Sequence, residues 1–266
     1  MSMEFAEGKI LAEISAGVGT ITFNQPEKRN AMSITMWDGM AQALDAFEAD
    51  RSVRCVVLRG AGGKAFVSGA DISQFDKNRS DAEAQKEYGR RTLHGRTRLT
   101  EFPKPVIALI QGFCMGGGLG IAMSCDIRIA GTGSEFGIPA ARLGIAYGFD
   151  MVKSLVSLVG PAHAHMILMT GGRFSAEEAE RVGLINKLVP AEDLEAEVAK
   201  LTAQLAINAP LSLVANKRTV RAVQADAADR DMAAIEAAMA ACFDSQDYAE
   251  GRKAFMGKRK PEFRGE

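Results

Sequence analysis

The chain has 266 residues, of which 47% are hydrophobic and 24% are charged, a composition typical of a globular protein with a sizeable core. Lysine and arginine number 32 against 33 aspartates and glutamates, so no overall field favours binding to nucleic acid or to an acidic membrane. Any binding site for an anion must therefore be a local cluster of cations.

The N-terminal segment and the cysteines favour a cytoplasmic protein. The segment MSMEFAEGKI carries acids where a signal or transit peptide would have positive charge and an apolar core. The cysteines show no C-x-x-C spacing, and three lie in apolar runs where a reduced thiol packs as a small hydrophobe. Residues 106–130 are apolar enough to suggest a membrane span but contain Gln111, Asp126 and Arg128. We therefore interpret this stretch as a buried strand, a turn and a helix.

The first half of the chain alternates between strand and helix patterns. ILAEISAGVGTITF predicts a hairpin around Gly17–Gly19, and MWDGMAQALDAFEAD has apolar residues at helical spacing. VRCVVLRG and KPVIALIQG are short apolar runs, typical of strands covered on both faces, and polar residues 81–100 between them predict a helix. A glycine cluster, a helix and a third strand, DIRIAG, follow. This order predicts an α/β protein with parallel strands.

The last part of the chain is almost entirely helical in pattern. Ser175 and Glu178 form an S-x-x-E capping box, which opens a helix that ends near Gly183. AEDLEAEVAKLTAQLAIN continues as an amphipathic helix, and two more helical stretches precede a basic tail. We predict a core with the binding site at residues 1–200 and a helical region at 201–266.

The glycine-rich segments do not complete a nucleotide-binding motif. GAGGKAF lacks the Ser or Thr that follows the lysine of a P-loop, and no cluster completes G-x-G-x-x-G. The sequence contains no G-x-S-x-G elbow. The three histidines show no metal-ligand pattern: His94, His163 and His165. We therefore predict neither a metal nor a cofactor.

Two turns remain in which a buried strand ends in small residues before a helix: AFVSGADI and MGGGLG. In an α/β sheet the carboxyl ends of neighbouring strands lie over the same crevice. Small residues let a ligand oxygen approach backbone N–H groups, and a helix N-terminus adds positive potential. Such an oxyanion hole contributes about 3–4 kcal/mol per donor to a transition state with charge on oxygen. A glycine triplet is equally typical of a tight turn with close helix packing.

Five motifs in order resemble those of the crotonase, or enoyl-CoA hydratase/isomerase, superfamily: NQPEKRNAMS, AFVSGADI, KPVIALIQGFCMGGGLGIAMSCDIRIA, FGIPAARLGI and FMGKRKPEF. The resemblance covers almost the whole chain. It implies the crotonase (ClpP-like) fold, in which repeated β-β-α units form a spiral core and a helical C-terminal region makes trimer contacts. It also implies an acyl-CoA thioester substrate, a role in fatty acid metabolism, and a homotrimer or a homohexamer made of two trimers.

The resemblance also implies the site residues. The backbone N–H groups of Ala70 and Gly117 would bind the thioester oxygen and stabilise an enolate without any titrating side chain. The CoA contacts would be Lys28, Arg29, Ala31, Ser68, Asp71 and Ile72, with Phe255 and Lys258 from the tail of this or a neighbouring subunit. From composition alone, the cations of this set are more often solvated charges than ligand contacts.

The sequence departs from the hydratase pattern at both acid/base positions. The family's two glutamates fall on Gly120 and Ala140, neither of which can carry a proton. Tyr147 is one possible replacement, because it matches a tyrosine in the superfamily's methylmalonyl-CoA decarboxylase. Asp150 is another: it is expected as a helix N-cap, or as a base if it is desolvated beside the acyl chain.

Three functions are consistent with these residues. The first is an enoyl-CoA hydratase/isomerase family enzyme, a lyase or isomerase that stabilises a thioester enolate without the glutamate pair. The second is a decarboxylase of a methylmalonyl-type thioester, because loss of CO2 itself leaves the enolate, although that decarboxylase has a histidine where this chain has Ala70. The third is a catalytically silent acyl-CoA-binding protein.

Overall fold

The computed structural model describes residues 1–71 and 82–266. Its strands are Ser2–Phe5 (β1), Ile10–Ser15 (β2), Val18–Phe23 (β3), Cys55–Gly60 (β4), Ala65–Val67 (β5), Val106–Ile110 (β6), Phe113–Met115 (β7), Ile127–Gly131 (β8), Glu135–Gly137 (β9), Arg173–Ser175 (β10) and Lys187–Val189 (β11). Its α-helices are Ile34–Ala49 (α1), Ala82–Glu101 (α2), Gly117–Ser124 (α3), Phe149–Thr170 (α4), Ala176–Arg181 (α5), Leu194–Ala206 (α6), Pro210–Gln224 (α7), Met232–Phe243 (α8) and Gln246–Met256 (α9).

The strands form two sheets. The larger sheet has the order β1-β2-β3-β4-β6-β8-β11, and the smaller has the order β10-β9-β7-β5. From β3 to β11 the larger sheet is parallel, whereas β1, β2 and β3 pair antiparallel. In the smaller sheet β5, β7 and β9 are parallel, and β10 joins the edge antiparallel.

The chain passes between the two sheets in a regular alternation. The strands β4, β6 and β8 enter the larger sheet, and each is followed by a short strand of the smaller sheet: β5, β7 and β9. The helices α2, α3 and α4 then follow these strand pairs along the chain. This repeated β-β-α order confirms the predicted spiral core of the crotonase fold.

The apolar runs explain why the larger sheet is covered on both faces. Side chains alternate in β4: Val56 and Leu58 join the main core cluster, whereas Cys55 and Val57 join a second cluster beneath α6. Hydrophobic burial on both faces removes the need for polar alternation along the strand. The continuous apolar pattern of VRCVVLRG therefore predicted this central position correctly.

Helix α1 forms where the sequence pattern predicts it. Ser33 caps its N-terminus by accepting a hydrogen bond from the Met36 N–H at 3.4 Å. The side chains of Met40, Leu44 and Phe47 continue a fully buried stripe at helical spacing. The helix thereby covers the antiparallel strands β1, β2 and β3 at the edge of the larger sheet.

Several short strands were not predicted from the sequence. The segments β5, β7, β9, β10 and β11 are each three residues long, too short for any periodicity to register. Two of them, β10 and β11, lie in the part of the chain that was expected to be helical, so that expectation is wrong there. The predicted division at residue 200 stays a prediction, and residue 200 lies within α6.

Helix α4 is long and apolar enough to cross a membrane by length and composition alone. Its backbone leaves the helical conformation at Gly160, with φ 73° and ψ 165°, immediately before Pro161. The side chains of Met151, Leu155 and Val159 from its first half are buried in the main core. The core helix of a globular protein can be equally long and apolar, so these properties of α4 are only weak support for a membrane-spanning helix. Residues 106–130 form β6, β7, α3 and most of β8.

The cysteines are free thiols, as the absence of paired spacing predicts. Cys55, Cys114 and Cys125 are buried, and Cys242 is half-buried. Burial raises the pKa of Cys55 to about 11 and that of Cys125 to about 12. The thiols of Cys55 and Cys125 therefore remain protonated and contribute to packing rather than to nucleophilic chemistry.

Helix α7 is attached to the core through a buried cation. The Nζ of Lys217 lies 2.6 Å from Oδ2 of Asp126 and donates a hydrogen bond to the Lys104 carbonyl oxygen at 2.7 Å. Only 8% of the Lys217 side chain is exposed. Burial lowers the pKa of Lys217 to about 8, although the charge of Asp126 opposes this shift.

The buried lysine has a consequence for stability at alkaline pH. In the unfolded chain Lys217 has its ordinary pKa of 10.5, so between pH 8 and pH 10.5 the unfolded state binds more protons than the folded state. The cost of burying the charge is therefore present below pH 8 and relieved above it. We expect the unfolding free energy of the wild type, relative to Lys217→Met, to rise across this window by at most about 3 kcal/mol. Urea unfolding of both proteins at several pH values measures this difference, and a constant difference would contradict the expectation.

Candidate active site

Two backbone turns meet at one cavity of about 470 Å³. The strands β5 and β7 are parallel neighbours, with Val67 paired to Cys114. Their carboxyl ends therefore lie side by side, and the segments that follow them, residues 68–70 and 116–117, both line the cavity. The two turns share one crevice, as the order of the strands predicts.

The N–H of Ala70 is oriented by the peptide group that it shares with Gly69. The Gly69 carbonyl oxygen accepts a hydrogen bond from the Met32 N–H at 2.7 Å, and in a trans peptide the N–H points the opposite way. Gly69 has a φ of 116°, a conformation that L side chains rarely adopt. Within the described part of the chain no acceptor is bonded to the Ala70 N–H. This donor is therefore available to a ligand oxygen.

The N–H of Gly117 is oriented by the start of helix α3. Gly117 is the first residue of the helix, and the Gly116 carbonyl oxygen accepts a hydrogen bond from the Gly120 N–H at 3.1 Å. The N–H on the other side of that peptide group consequently points out of the helix N-terminus. Among residues 1–71 and 82–266, none accepts a hydrogen bond from it. The helix dipole adds partial positive charge at this point.

The neighbouring glycines hold this turn in place. Gly116 has φ 52° and ψ −116°, and its N–H donates to the Gly137 carbonyl oxygen at 2.8 Å. A Cβ at Gly118 would lie 2.1 Å from the Val67 carbonyl oxygen, so α3 packs directly on the backbone of β5. A Cβ at Gly117 would meet no atom of another described residue within 4 Å. The triplet thus combines a tight turn and close helix packing with one glycine that faces open space.

Both positions that the hydratase pattern assigns to glutamates lie in the cavity wall. They are Gly120 and Ala140. A Cβ at Gly120 would come within 2.6 Å of the terminal methyl group of Met151, so this methionine occupies the space in front of residue 120. The described residues that line the cavity include no aspartate and no glutamate. The described residues of the cavity wall therefore lack the pair of carboxylates that would act as acid and base.

Tyr147 lines the same cavity beside the glycine turn. Its hydroxyl oxygen lies 3.5 Å from the position that a Cβ on Gly116 would occupy. Burial raises the pKa of the Tyr147 hydroxyl above its ordinary value of 10, and the positive charge of Arg96 opposes this shift. Near neutral pH the side chain is therefore a neutral phenol that can donate a hydrogen bond or a proton.

Asp150 lies outside this cavity. Its side chain is exposed, and it lines an adjoining cavity of about 240 Å³. The prediction that Asp150 caps the helix is wrong, because α4 begins at Phe149 and its N-cap is Gly148. The carboxylate instead occupies the first turn, where it complements the helix dipole. The desolvated environment that a base would need is not found at this exposed position.

One face of α2, which the sequence analysis did not single out, also lines the cavity. Tyr88, Thr92 and Arg96 follow one another at four-residue intervals, which places them on one face. Gly95 brings α2 close to α1, because a Cβ there would lie 3.0 Å from the Trp37 carbonyl oxygen. Trp37 lines the cavity as well, and its buried Nε1–H has no acceptor among the described residues. The four-residue spacing was the available signal for this face.

The predicted CoA contacts of the first motif pack against those of the second. Lys28 Nζ lies 2.8 Å from Asp71 Oδ2, and the Ser68 hydroxyl donates to the Lys28 carbonyl oxygen at 3.3 Å. The Ser68 N–H donates to the Arg29 carbonyl oxygen at 3.1 Å, and Ala31 is buried behind this turn. The structure therefore brings these five residues together beside the cavity, and their contact with CoA stays a prediction.

The other three predicted CoA contacts are not placed at the cavity. Ile72 lies outside the described residues. Phe255, near the end of α9, is 86% exposed, and Lys258 follows that helix with a φ of 49°. Neither of the two lines the cavity. Their predicted contact with CoA stays a prediction and would require a neighbouring subunit.

Comparisons with known proteins cover almost the whole chain. The family model described as enoyl-CoA hydratase/isomerase matches residues 13–266. The short-chain-enoyl-CoA hydratase of Clostridium acetobutylicum is 37% identical over 254 residues, covering 95% of this chain and 96% of that protein. The crotonyl-CoA hydratase of Syntrophomonas wolfei is 36% identical over 254 residues, covering 96% and 97%.

Solved structures show the same architecture. An enoyl-CoA hydratase/carnithine racemase from Magnetospirillum magneticum superposes with a TM-score of 0.90 at 36% identity, covering 97% of this chain and 96% of that one. A putative enoyl-CoA hydratase/isomerase family protein from Hyphomonas neptunium superposes with a TM-score of 0.91 at 33% identity, covering 96% and 97%. The similarity thus includes both sheets and the helical C-terminal region.

Proposed function

Because the chain belongs to the enoyl-CoA hydratase/isomerase family, within the crotonase superfamily, we propose that it binds an acyl-CoA thioester and stabilises its enolate. The thioester carbonyl oxygen would accept hydrogen bonds from the N–H groups of Ala70 and Gly117. The observation that carries this proposal is that two backbone donors from separate strand ends line one cavity, and neither has an acceptor among the described residues. Charge that develops on the oxygen is then stabilised by donors that need no reorganisation.

We propose a short acyl chain. The relatives from Clostridium acetobutylicum and Syntrophomonas wolfei are named for short-chain enoyl-CoA and crotonyl-CoA. A cavity of about 470 Å³ must hold the thioester and the acyl group together. Leu143, Ile145 and Ala146 provide its apolar wall, against which a few methylene groups can pack.

The acid/base chemistry of the proposed reaction must differ from that of two glutamates. Hydration requires a group that activates water and a group that delivers a proton to the next carbon. With glycine at position 120 and alanine at 140, Tyr147 is the proton donor that lies nearest to the glycine turn among the described lining residues. We therefore assign Tyr147, rather than Asp150, as the acid of the proposed site.

Decarboxylation of a malonyl-type thioester is the second candidate. It is favoured by a cavity whose described lining has two phenols and a guanidinium but no carboxylate. In this reaction the bond between the α-carbon and the carboxylate breaks, CO2 leaves, and the electron pair forms the thioester enolate. Tyr147 then protonates the α-carbon and regains its proton from water. No base is needed to remove a C–H proton.

The three possibilities are separated by three measurements on the purified protein. Hydration is followed with crotonyl-CoA, and CO2 release is followed with methylmalonyl-CoA. Acetoacetyl-CoA reports enolate stabilisation without turnover, because its bound enolate absorbs in the near ultraviolet. An enolate signal with turnover of either substrate supports the proposal. Binding without an enolate signal or turnover would identify a silent acyl-CoA-binding protein instead.

Tyr147→Phe tests the assigned acid. We expect turnover of the confirmed substrate to fall about 10²-fold, because the donor is lost while the ring and its packing remain. Asp150→Asn, at an exposed position in the adjoining cavity, is expected to have a far smaller effect. Since burial raises the pKa of Tyr147, the wild-type rate should show no ionisation of this group below about pH 10. Equal losses in the two variants would exclude Tyr147 as the specific acid.

A further inference from the structure

Arg96 is the only charged side chain among the described residues that line the cavity. It is half-buried on the cavity face of α2, four residues beyond Thr92. It also borders the adjoining cavity, where Glu101 and Asp150 lie, but it forms an ion pair with neither. The cavity therefore carries a positive charge that its own described wall does not neutralise.

The other arginines of α2 differ from Arg96 in this respect. Each pairs with a carboxylate: Arg90 with Glu87, Arg91 with Asp38, and Arg98 with Asp45. Arg96 has no ion pair and no hydrogen bond with any residue that the structure describes. A half-buried guanidinium retains several N–H donors that need acceptors. Such a group can bind a carboxylate or a phosphate with two parallel hydrogen bonds.

Arg96 lies close to where the acyl group of the proposed ligand would bind, rather than near a distant part of that ligand. Its charge acts on the hydroxyl of Tyr147, which lies beside the Gly116 turn. That turn leads directly into the proposed carbonyl-binding amide of Gly117. An anion held by Arg96 would consequently belong to the acyl chain close to the thioester.

Resting on the proposed function, we propose that Arg96 is a specificity-determining residue that binds a carboxylate on the acyl chain. The substrate class is then the CoA thioesters of short dicarboxylic acids, rather than those of unsubstituted fatty acids. The carboxylate neutralises the guanidinium, and the two amides hold the thioester oxygen at the other end of the same acyl group.

The test compares acyl-CoA esters of equal carbon number with and without a terminal carboxylate. The pairs are malonyl-CoA with propionyl-CoA, succinyl-CoA with butyryl-CoA, and glutaryl-CoA with valeryl-CoA. Binding is followed immediately after mixing by the fluorescence of Trp37, the single tryptophan of the chain, which lines the cavity. Calorimetry with succinyl-CoA and butyryl-CoA provides a second measurement. We expect at least one dicarboxylic ester to bind about 10- to 100-fold more tightly than its partner, the range of a charge-assisted hydrogen bond.

Substitutions on α2 test whether Arg96 is responsible for this preference. Arg96→Met should abolish the preference, Arg96→Lys should restore part of it, and Arg90→Met, at an exposed position of the same helix, should retain it. The inference is overturned if the wild type shows no preference. It is also overturned if Arg96→Met weakens both esters and free CoA equally, which would assign the arginine to a CoA phosphate. If butyryl-CoA binds and no dicarboxylic ester binds more tightly than its partner, only this inference fails. If no ester binds, the proposed function fails with it.

Discussion

Replacing Gly117 with proline is expected to lower the turnover of a thioester that passes through an enolate by about 10²–10³-fold. The substitution removes the N–H that lines the cavity and leaves the donor of Ala70 in place. Proline is well tolerated at the first position of a helix, because the N–H there has no partner within the helix. A Cβ at this position also meets no atom of another described residue within 4 Å. We therefore expect the substitution to lower the rate of turnover and to leave the stability of the fold nearly unchanged.

Two measurements separate the lost donor from a general disturbance. Acetoacetyl-CoA should still bind to the Gly117→Pro variant but with a much weaker enolate signal, and thermal unfolding should resemble that of the wild type. The matched control is Gly117→Ala, which keeps the N–H and adds one methyl group in the open space. Its turnover should fall far less than that of the proline variant. An undiminished enolate signal in Gly117→Pro would exclude this amide from the oxyanion hole.

Adding a single methyl group one residue later is expected to destabilise the whole protein. In Gly118→Ala the new Cβ would lie 2.1 Å from the Val67 carbonyl oxygen and 2.7 Å from the Val67 Cβ. Backbone cannot move aside as a flexible side chain does, so α3 must separate from β5. We expect a loss of more than about 3 kcal/mol in the free energy of unfolding, a large part of the stability of a typical domain.

Thermal and urea unfolding check this expectation, with Gly117→Ala as the matched control. The two variants add the same methyl group to adjacent residues of α3, yet only one of them meets other atoms. A melting temperature of Gly118→Ala close to that of Gly117→Ala would show that α3 does not pack on β5 as described. The pair also separates the two roles of the triplet, since Gly118 serves packing and Gly117 lines the cavity.

The likeness to named hydratases and the missing glutamates lead to different expectations for the reaction. The relatives are similar over nearly their entire length, which accounts for the shared fold but not for the side chains around the two backbone donors of this chain. The reaction depends instead on the side chains around those donors. In this chain Met151 occupies the space in front of residue 120, and the polar groups that line the cavity include the Tyr147 hydroxyl and the Arg96 guanidinium. These side chains are the reason to test decarboxylation beside hydration.

The sequence by itself determined the elements whose residues carry a local pattern. The hairpin around Gly17, the helix α1 and the central strands β4, β6 and β8 were predicted because periodicity and turn residues act within a few positions of one another. The motif order also led to the family and to the two turns. Those turns were recognisable because backbone donors require small residues beside them, and small residues are visible in a sequence.

Only the tertiary structure decided which side chains share the cavity. The three-residue strands β5, β7 and β9 exist because neighbours supply their hydrogen bonds, and they place Ala70 beside Gly117. The sequence suggested Asp150 and did not single out Arg96. The start of α4 at Phe149 leaves Asp150 exposed, whereas the closeness of α2 to Trp37 brings Arg96 to the cavity. The orientation of a helix depends on atoms far away in the chain. Sequence spacing therefore predicts a face, and packing decides what that face meets.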